Sequence, residues 1–347
     1  MNIKRLIKNR IASCLFYTGA MHSLARVRFK NKAFVLMYHR VVTEKENSNC
    51  LSQDGIVVSK AVFEKQMRFL INRFNVLSLN EFIECIEERK TFRPNSCLVT
   101  FDDGWKDNYQ NAYPLLKEMG IPATIFVTTD FVGENKLFWQ ERITGLLYGL
   151  HDALESDRDV SRYVLRDFPD MEIRRLLKCE RDRLKEEISG YIRMLKGKAN
   201  EEIEERIRRL AILAVKVKRN VDEESAFMDW DAIKVMAKNG ISFGSHGKSH
   251  AILTRLGKCE IEKEALESRE LIEKKLGVPV CSFSYPNGDY SEEIAEILRN
   301  SGYRVAFSAD KGHHSIDDHP YKVRRINIHE DMTHNIPMFL ARITGLW

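Results

Sequence analysis

Two hydrophobic rhythms alternate along the chain. Short apolar runs such as "AFVLMYHRV" (33–41), "SCLVTFDDG" (96–104) and "PATIFVT" (122–128) have the continuous, β-prone pattern of strands buried on both faces. Between them, apolar residues three and four apart predict helices over 60–73, 80–89 and 107–119. Asn80 is the expected N-cap of the second helix, and Gly120 closes the third. Later come a helix over 229–240, bounded by Asp229 and Gly240, and the strand of "ISFGSHGKSH" (241–250). A charged helix over 257–276, the strand in "VCSFSYPNGDY" (280–290) and a helix over 291–301 follow. The strands of "YRVAFS" (303–308) and "KVRRINIH" (322–329) complete the series. At least seven strands alternating with helices predict an α/β fold, a parallel sheet with helices outside it.

The rhythm breaks between about 135 and 225, where "CERDRLKEEI" and "NEEIEERIRRLAIL" predict charged helices inserted between strands, with solvated faces. Pro169 is the one proline of this stretch. Trp139 and Trp230 flank it as expected core anchors.

Composition changes the picture only through its distribution. A net charge of +5 on 347 residues, with 44% hydrophobic and 30% charged residues, describes a globular chain and excludes a disordered one. Nine Lys or Arg residues precede the first acidic residue, Glu44, and short apolar pieces lie among them. The piece "ASCLFYTGAM" is too short to span a bilayer, and no small-residue cleavage site follows it. Residues 1–32 therefore read as a basic amphipathic segment that either lies on an anionic membrane face or packs on the main domain. No aromatic-interleaved basic patch occurs, so nucleic acid is not an expected partner. The seven cysteines form no CxxC and read as reduced thiols, which places the protein in the cytoplasm, at most peripheral at the inner membrane face.

Polar residues recur where strands end: Tyr38-His39, Asp102-Asp103, His246, Tyr285 and Arg325. In barrels of β/α units, chemistry collects at such ends. Adjacent residues of a strand face opposite ways, and two like charges raise each other's pKa, so the aspartate pair needs a partner. His246 and His250, four apart, supply two imidazoles, and with one carboxylate they suit a divalent transition metal. One aspartate then serves as ligand and its neighbour as base, with Gly104 giving the bend. Alone, an HxxxH pair is ordinarily packing or surface and a DDG is a turn; together at strand ends they point to a metal hydrolase. Trp105 and Tyr285, beside these residues, are candidates for a sugar-stacking wall. Tyr109 reads as helix packing and His313-His314 as a solvated loop.

These motifs, "TFDDG" (100–104), "SHGKSH" (245–250) and "SYPNGDYS" (284–291), resemble the first three of the NodB-homology polysaccharide deacetylases, carbohydrate esterase family 4. The resemblance covers roughly 33–135 and 228–328. It implies a distorted (β/α) barrel of about seven parallel strands over 33–347, interrupted by the helical insertion. It also implies metal-dependent hydrolysis of acetyl groups on a sugar. Asp103, His246 and His250 match the metal ligands, for zinc first, with cobalt, manganese and nickel also served. Asp102 matches the general base. Two departures stand out. Tyr285 precedes Pro286 where the family has an arginine, and no late apolar-x-His supplies an acid. "MYHRV" instead resembles a permuted branch acting on exopolysaccharides, whose acid follows an early strand. His39 takes that role, and Arg325 that of the arginine orienting Asp102. The implied substrate is an N-acetylated glycan or a lipid-linked glycan precursor. The alternatives are an O-deacetylase or small-amide amidohydrolase on the same barrel, and a catalytically silent glycan-binding protein. The complete set of Asp102, Asp103, His246 and His250 argues against the last.

Overall fold

In the computed structural model the sheet closes on itself. Its strands are β1 (Ala33–Tyr38), β2 (Ser96–Phe101), β3 (Ala123–Val127), β4 (Ile241–Ser245), β5 (Ser282–Ser284), β6 (Val305–Lys311) and β7 (Val323–Asn327). Each pairs in parallel with the next, and β7 pairs with β1. This is the distorted, seven-stranded (β/α) barrel that the sequence predicts. The structure describes residues 3–48, 50–156, 170–216 and 226–347.

The continuous apolar runs follow from burial on both sides. Val35, Leu98, Phe126, Val305, Phe307 and Val323 share a cluster inside the barrel. Their neighbours of opposite parity, such as Leu36, Val99, Ile125 and Phe243, join a larger cluster under the outer helices. Gly244 sits at a close approach, since a Cβ there would stand 2.6 Å from the Phe126 ring and 2.4 Å from Ser282 Oγ.

Local signals explain the helix ends. Asp229 caps the helix Trp230–Ala237 by accepting from Ala232 N. The expected cap at Asn80 is displaced. The helix Leu79–Glu87 starts after Ser78, because Ser78 and Glu81 satisfy each other's backbone N–H in a capping box. The predicted helix over 107–119 begins as a π-helical turn, Asn108–Ala112, and becomes α-helical only at Tyr113–Glu118, where Pro114 donates no hydrogen bond. His313–His314 is not a solvated loop. It pairs antiparallel with the start of β1, which encloses the His314 ring beside Phe82.

Two compact units result, one of Met1–Ser48, Asp54–Glu134 and Phe227–Trp347, the other of Asn49–Gln53 and Asn135–Ala226. The second holds the helices Trp139–Ser156, Met171–Leu177, Arg181–Leu195 and Asn200–Lys216 around its own apolar core of residues such as Leu150, Ile188 and Leu210. Ser52 joins it by donating to Glu141 Oε1 at 2.9 Å. Trp139 is half-buried against this core, and Trp230 against the barrel's outer cluster. Pro169 lies outside the described residues. In the barrel unit, helix α1 (Ile3–Tyr17) lies against the helix Ile336–Ile343, with Ala12 enclosed and Asn335 Nδ2 donating to Asn9 Oδ1 at 2.9 Å.

Candidate metal centre

Beyond the last residue of β2 the backbone enters the left-handed region twice, at Asp103 (φ 76°) and Gly104 (φ 82°). Aspartate tolerates this conformation better than most residues, and glycine without penalty. Glycine is needed at 104 for a second reason: a Cβ would press on Val127 Cγ1 at 3.0 Å. The double turn separates the carboxylates. Asp102 continues the inward parity of Leu98 and Thr100, and Asp103 is turned to His246 and His250.

His246 follows β4, its N–H donating to Val127 O at 2.9 Å. The loop to His250 wraps a buried carboxylate, Glu264, which accepts from Lys248 N (2.6 Å), Ser249 N (3.0 Å) and Ser249 Oγ (2.6 Å). Nδ1 of His246 lies 2.8 Å from Ser284 O. A carbonyl oxygen only accepts, so this nitrogen carries the proton and Nε2 presents a lone pair. That Nε2 and the Nε2 of His250 each lie 3.3 Å from Asp103 Oδ1. Trp105 Nε1 donates to the other oxygen, Oδ2, at 2.8 Å. Lone pairs on His246 and Asp103 that face each other require a proton or a cation between them. Two imidazoles and one carboxylate, with donor atoms all within 4.8 Å of one another, fit a divalent transition metal. Burial alone would raise the Asp103 pKa, but the two imidazoles outweigh it and hold the carboxyl well below the usual range. His246 shows the converse: burial lowers its pKa, and Asp102 and Asp103 together raise it above the ordinary value. Another group, His151, Asp152 and Glu155, lies in the helical insertion, where Asp152 is already paired with Arg181 at 2.8 Å.

Asp102 sits at the centre of a buried polar network. Arg325 grips both of its oxygens, Nη1 to Oδ1 and Nη2 to Oδ2, each at 2.7 Å. Ser284 Oγ accepts from Arg325 Nη2 at 2.9 Å and donates to Asp102 Oδ2 at 3.2 Å. Arg325 Nε donates to Ser308 O at 2.8 Å, and the guanidinium lies beside the packed rings of Phe126 and Phe307, 5.9 Å from each. Alternation along β7 encloses Val323 and Arg325 and exposes Arg324, while the pairing with β6 shifts register between the two enclosed residues. Burial pushes the Asp102 pKa up, yet the charges of Arg325 and His246 bring it below the ordinary value, so the group is a carboxylate at neutral pH.

His39 follows β1, and its charge couples to Asp102, Asp103, His246 and Arg325. Its Nδ1 is buried without a hydrogen-bond partner. Burial lowers its pKa more than the aspartates raise it.

The sugar-stacking wall is not present. Trp105 is fully enclosed between the Arg40 guanidinium, 4.5 Å from its ring, and the stacked ring of Phe227 at 4.6 Å. Tyr285 is also buried, its hydroxyl donating to Tyr321 O at 3.0 Å. Neither ring has a free face for a pyranose, and Trp105 instead holds the carboxylate of Asp103. Sequence reasoning missed Glu264 and Ser284 as well. An acid on the inward face of an amphipathic helix was the one available signal for Glu264, and Ser284 left none.

The family profile for polysaccharide deacetylases matches residues 89–204 and 211–306, more than half of the chain. Over 300 residues the chain is 23% identical to YxkH of Bacillus subtilis (strain 168), which carries the name of a polysaccharide deacetylase; the match spans 86% of this chain and 72% of that one. Over 120 residues it is 36% identical to the poly-beta-1,6-N-acetyl-D-glucosamine N-deacetylase of Staphylococcus aureus (strain MSSA476), covering 31% of this chain and 40% of that enzyme. The structure superposes on the Streptococcus pyogenes deacetylase PplD in complex with acetate, with a TM-score of 0.58 and 18% identity, over 90% of this chain and 98% of that one. IcaB from Ammonifex degensii gives a TM-score of 0.57 and 18% identity, over 90% and 97%. At such identity the structural likeness is one of fold.

Proposed function

The chain belongs to the polysaccharide deacetylase family, and from that premise we propose that it hydrolyses N-acetyl groups on a sugar of a polysaccharide or glycan precursor, with Asp102 as general base and His39 as general acid. The observation that carries this reading is the convergence of Asp103, His246 and His250 on one point beside a buried, arginine-clamped Asp102. Asp103 Oδ1 and the two Nε2 atoms would hold the metal, zinc first and cobalt, manganese or nickel next, and the ion would supply Lewis-acid polarisation of the acetyl carbonyl. Asp102 takes a proton from the attacking water. It is already ionised, and Oδ1 keeps a lone pair beyond the one given to Arg325, whereas Oδ2 accepts from both Arg325 and Ser284. Arg325 is a positioning residue that fixes the plane of the carboxylate. An amide nitrogen leaves poorly until it is protonated, so an acid is also required. His39 has a buried ring nitrogen without a partner and couples to both Asp102 and Asp103, and its lowered pKa makes its imidazolium the stronger acid. Similarity to the Staphylococcus aureus N-deacetylase favours N- over O-acetyl groups. The free thiols of Cys14, Cys85, Cys97, Cys179, Cys259 and Cys281 suit a reducing cytoplasmic setting, where a lipid-linked precursor is one form the glycan can take.

The test is acetate release from N-acetylglucosamine oligomers by protein stripped with a chelator and reloaded with zinc. Asp102→Asn should lose on the order of 100-fold or more. Near-normal activity in that variant, or zinc uptake with no acetate released from any acetylated glycan, overturns the proposal.

A further inference from the structure

The side of α1 turned away from the barrel is apolar. Ala12 is enclosed and Phe16 packs on Phe69, which fixes the side that faces outward. There Ile3, Ile7 and Ile11 recur every four residues and are 73%, 51% and 46% exposed, with Tyr17 (81%) at the far end. A surface helix ordinarily turns such a stripe to the core. Single exposed apolar residues need no explanation, but a stripe along a 15-residue helix does.

Charge identifies what covers it. Eight Lys or Arg residues and no Asp or Glu occur in residues 1–32. Four of them, Lys4, Arg5, Lys8 and Arg10, are on α1 itself. Arg5 leans toward Asp331 at 3.4 Å and contributes least. Arg10 shares the outward side with the isoleucines, where a long stem can lie along apolar surface while the guanidinium reaches a polar layer. Among the described residues no helix is long and apolar enough to cross a membrane. An apolar stripe bordered by cations and free of acids suits the boundary between acyl chains and anionic headgroups, with the helix lying in its plane.

We propose that α1 seats this protein on an anionic lipid surface. The inference goes beyond the deacetylase reading and does not depend on it. The full chain is sedimented with vesicles of phosphatidylcholine alone and of phosphatidylcholine mixed with phosphatidylglycerol. Binding is expected to the mixed vesicles only, and to weaken as salt rises. Ile7→Gln combined with Ile11→Gln should lower vesicle affinity about tenfold or more while leaving acetate release from a soluble oligomer unchanged. Arg10→Gln should lower it by about fivefold. No binding to the mixed vesicles, equal binding to both kinds, or full binding by the isoleucine variant overturns the proposal. So does a dimer that the isoleucine variant splits, which would put a second copy on the stripe. Salt-sensitive, isoleucine-dependent binding by a protein that releases no acetate supports the proposal and tells against the deacetylase reading alone.

Discussion

Replacing Arg325 with methionine strands Asp102. The carboxylate would keep its place inside the barrel and lose two charged hydrogen bonds of 2.7 Å, leaving the 3.2 Å contact from Ser284. Removing one partner of a buried ion pair costs about 3–5 kcal/mol, because the other charge is left uncompensated. Asp102→Asn alone leaves an uncompensated guanidinium beside two phenylalanine rings, with a comparable loss. The double variant carries neither charge, so its loss should fall short of the sum by about 2–3 kcal/mol. The pH dependence gives a second check. In the native protein the Asp102 pKa lies below its ordinary value, so its contribution is present above the unfolded pKa and fades as pH falls through the folded one. Without Arg325, burial wins and the folded pKa rises above the ordinary value. The variant's deficit should then shrink as the solution is made acidic. Urea unfolding of zinc-free protein, followed by tryptophan fluorescence at several pH values, measures both. A deficit below about 1 kcal/mol, a deficit indifferent to pH, or strict additivity in the double variant would refute the pairing.

Two further outcomes are expected. Trp105→Phe keeps a ring between Arg40 and Phe227 but removes the donor to Asp103 Oδ2, so zinc affinity in a chelator competition should fall about 10- to 100-fold; an unchanged affinity would show that the indole does not orient the ligand. His314 is buried, which lowers its pKa from 6.5 to about 4, so the native protein should lose about 3 kcal/mol of stability as pH drops through that window. In His314→Leu that share of the slope should vanish, and an identical stability–pH curve would sink the argument.

The barrel was legible because its strands are buried on both faces and therefore read as unbroken apolar runs, which polar residues end abruptly. Asp102-Asp103 and His246 stand out against that background for the same reason. What could not be read depended on residues distant in the chain. Trp105 next to a site suggests a sugar platform, and only Phe227 and Arg40 reveal that both its faces are covered. The histidines at 313 and 314 look like a polar loop until β1 pairs with them. Ser52 gives no local sign that it belongs with a helical unit beginning more than eighty residues later. Ser78 was a different kind of miss: its Glu three residues on was a readable capping box, passed over for the equally cap-prone Asn80.

The first stave of the barrel is hydrogen-bonded to the last, Leu36 opposite Ile326. A polypeptide emerging from the ribosome thus holds both aspartates and both ring ligands long before it gains the guanidinium that clamps Asp102. Fragments ending short of residue 323 lack both the last strand and Arg325, so they are expected to release no acetate until that strand is supplied to pair with the first.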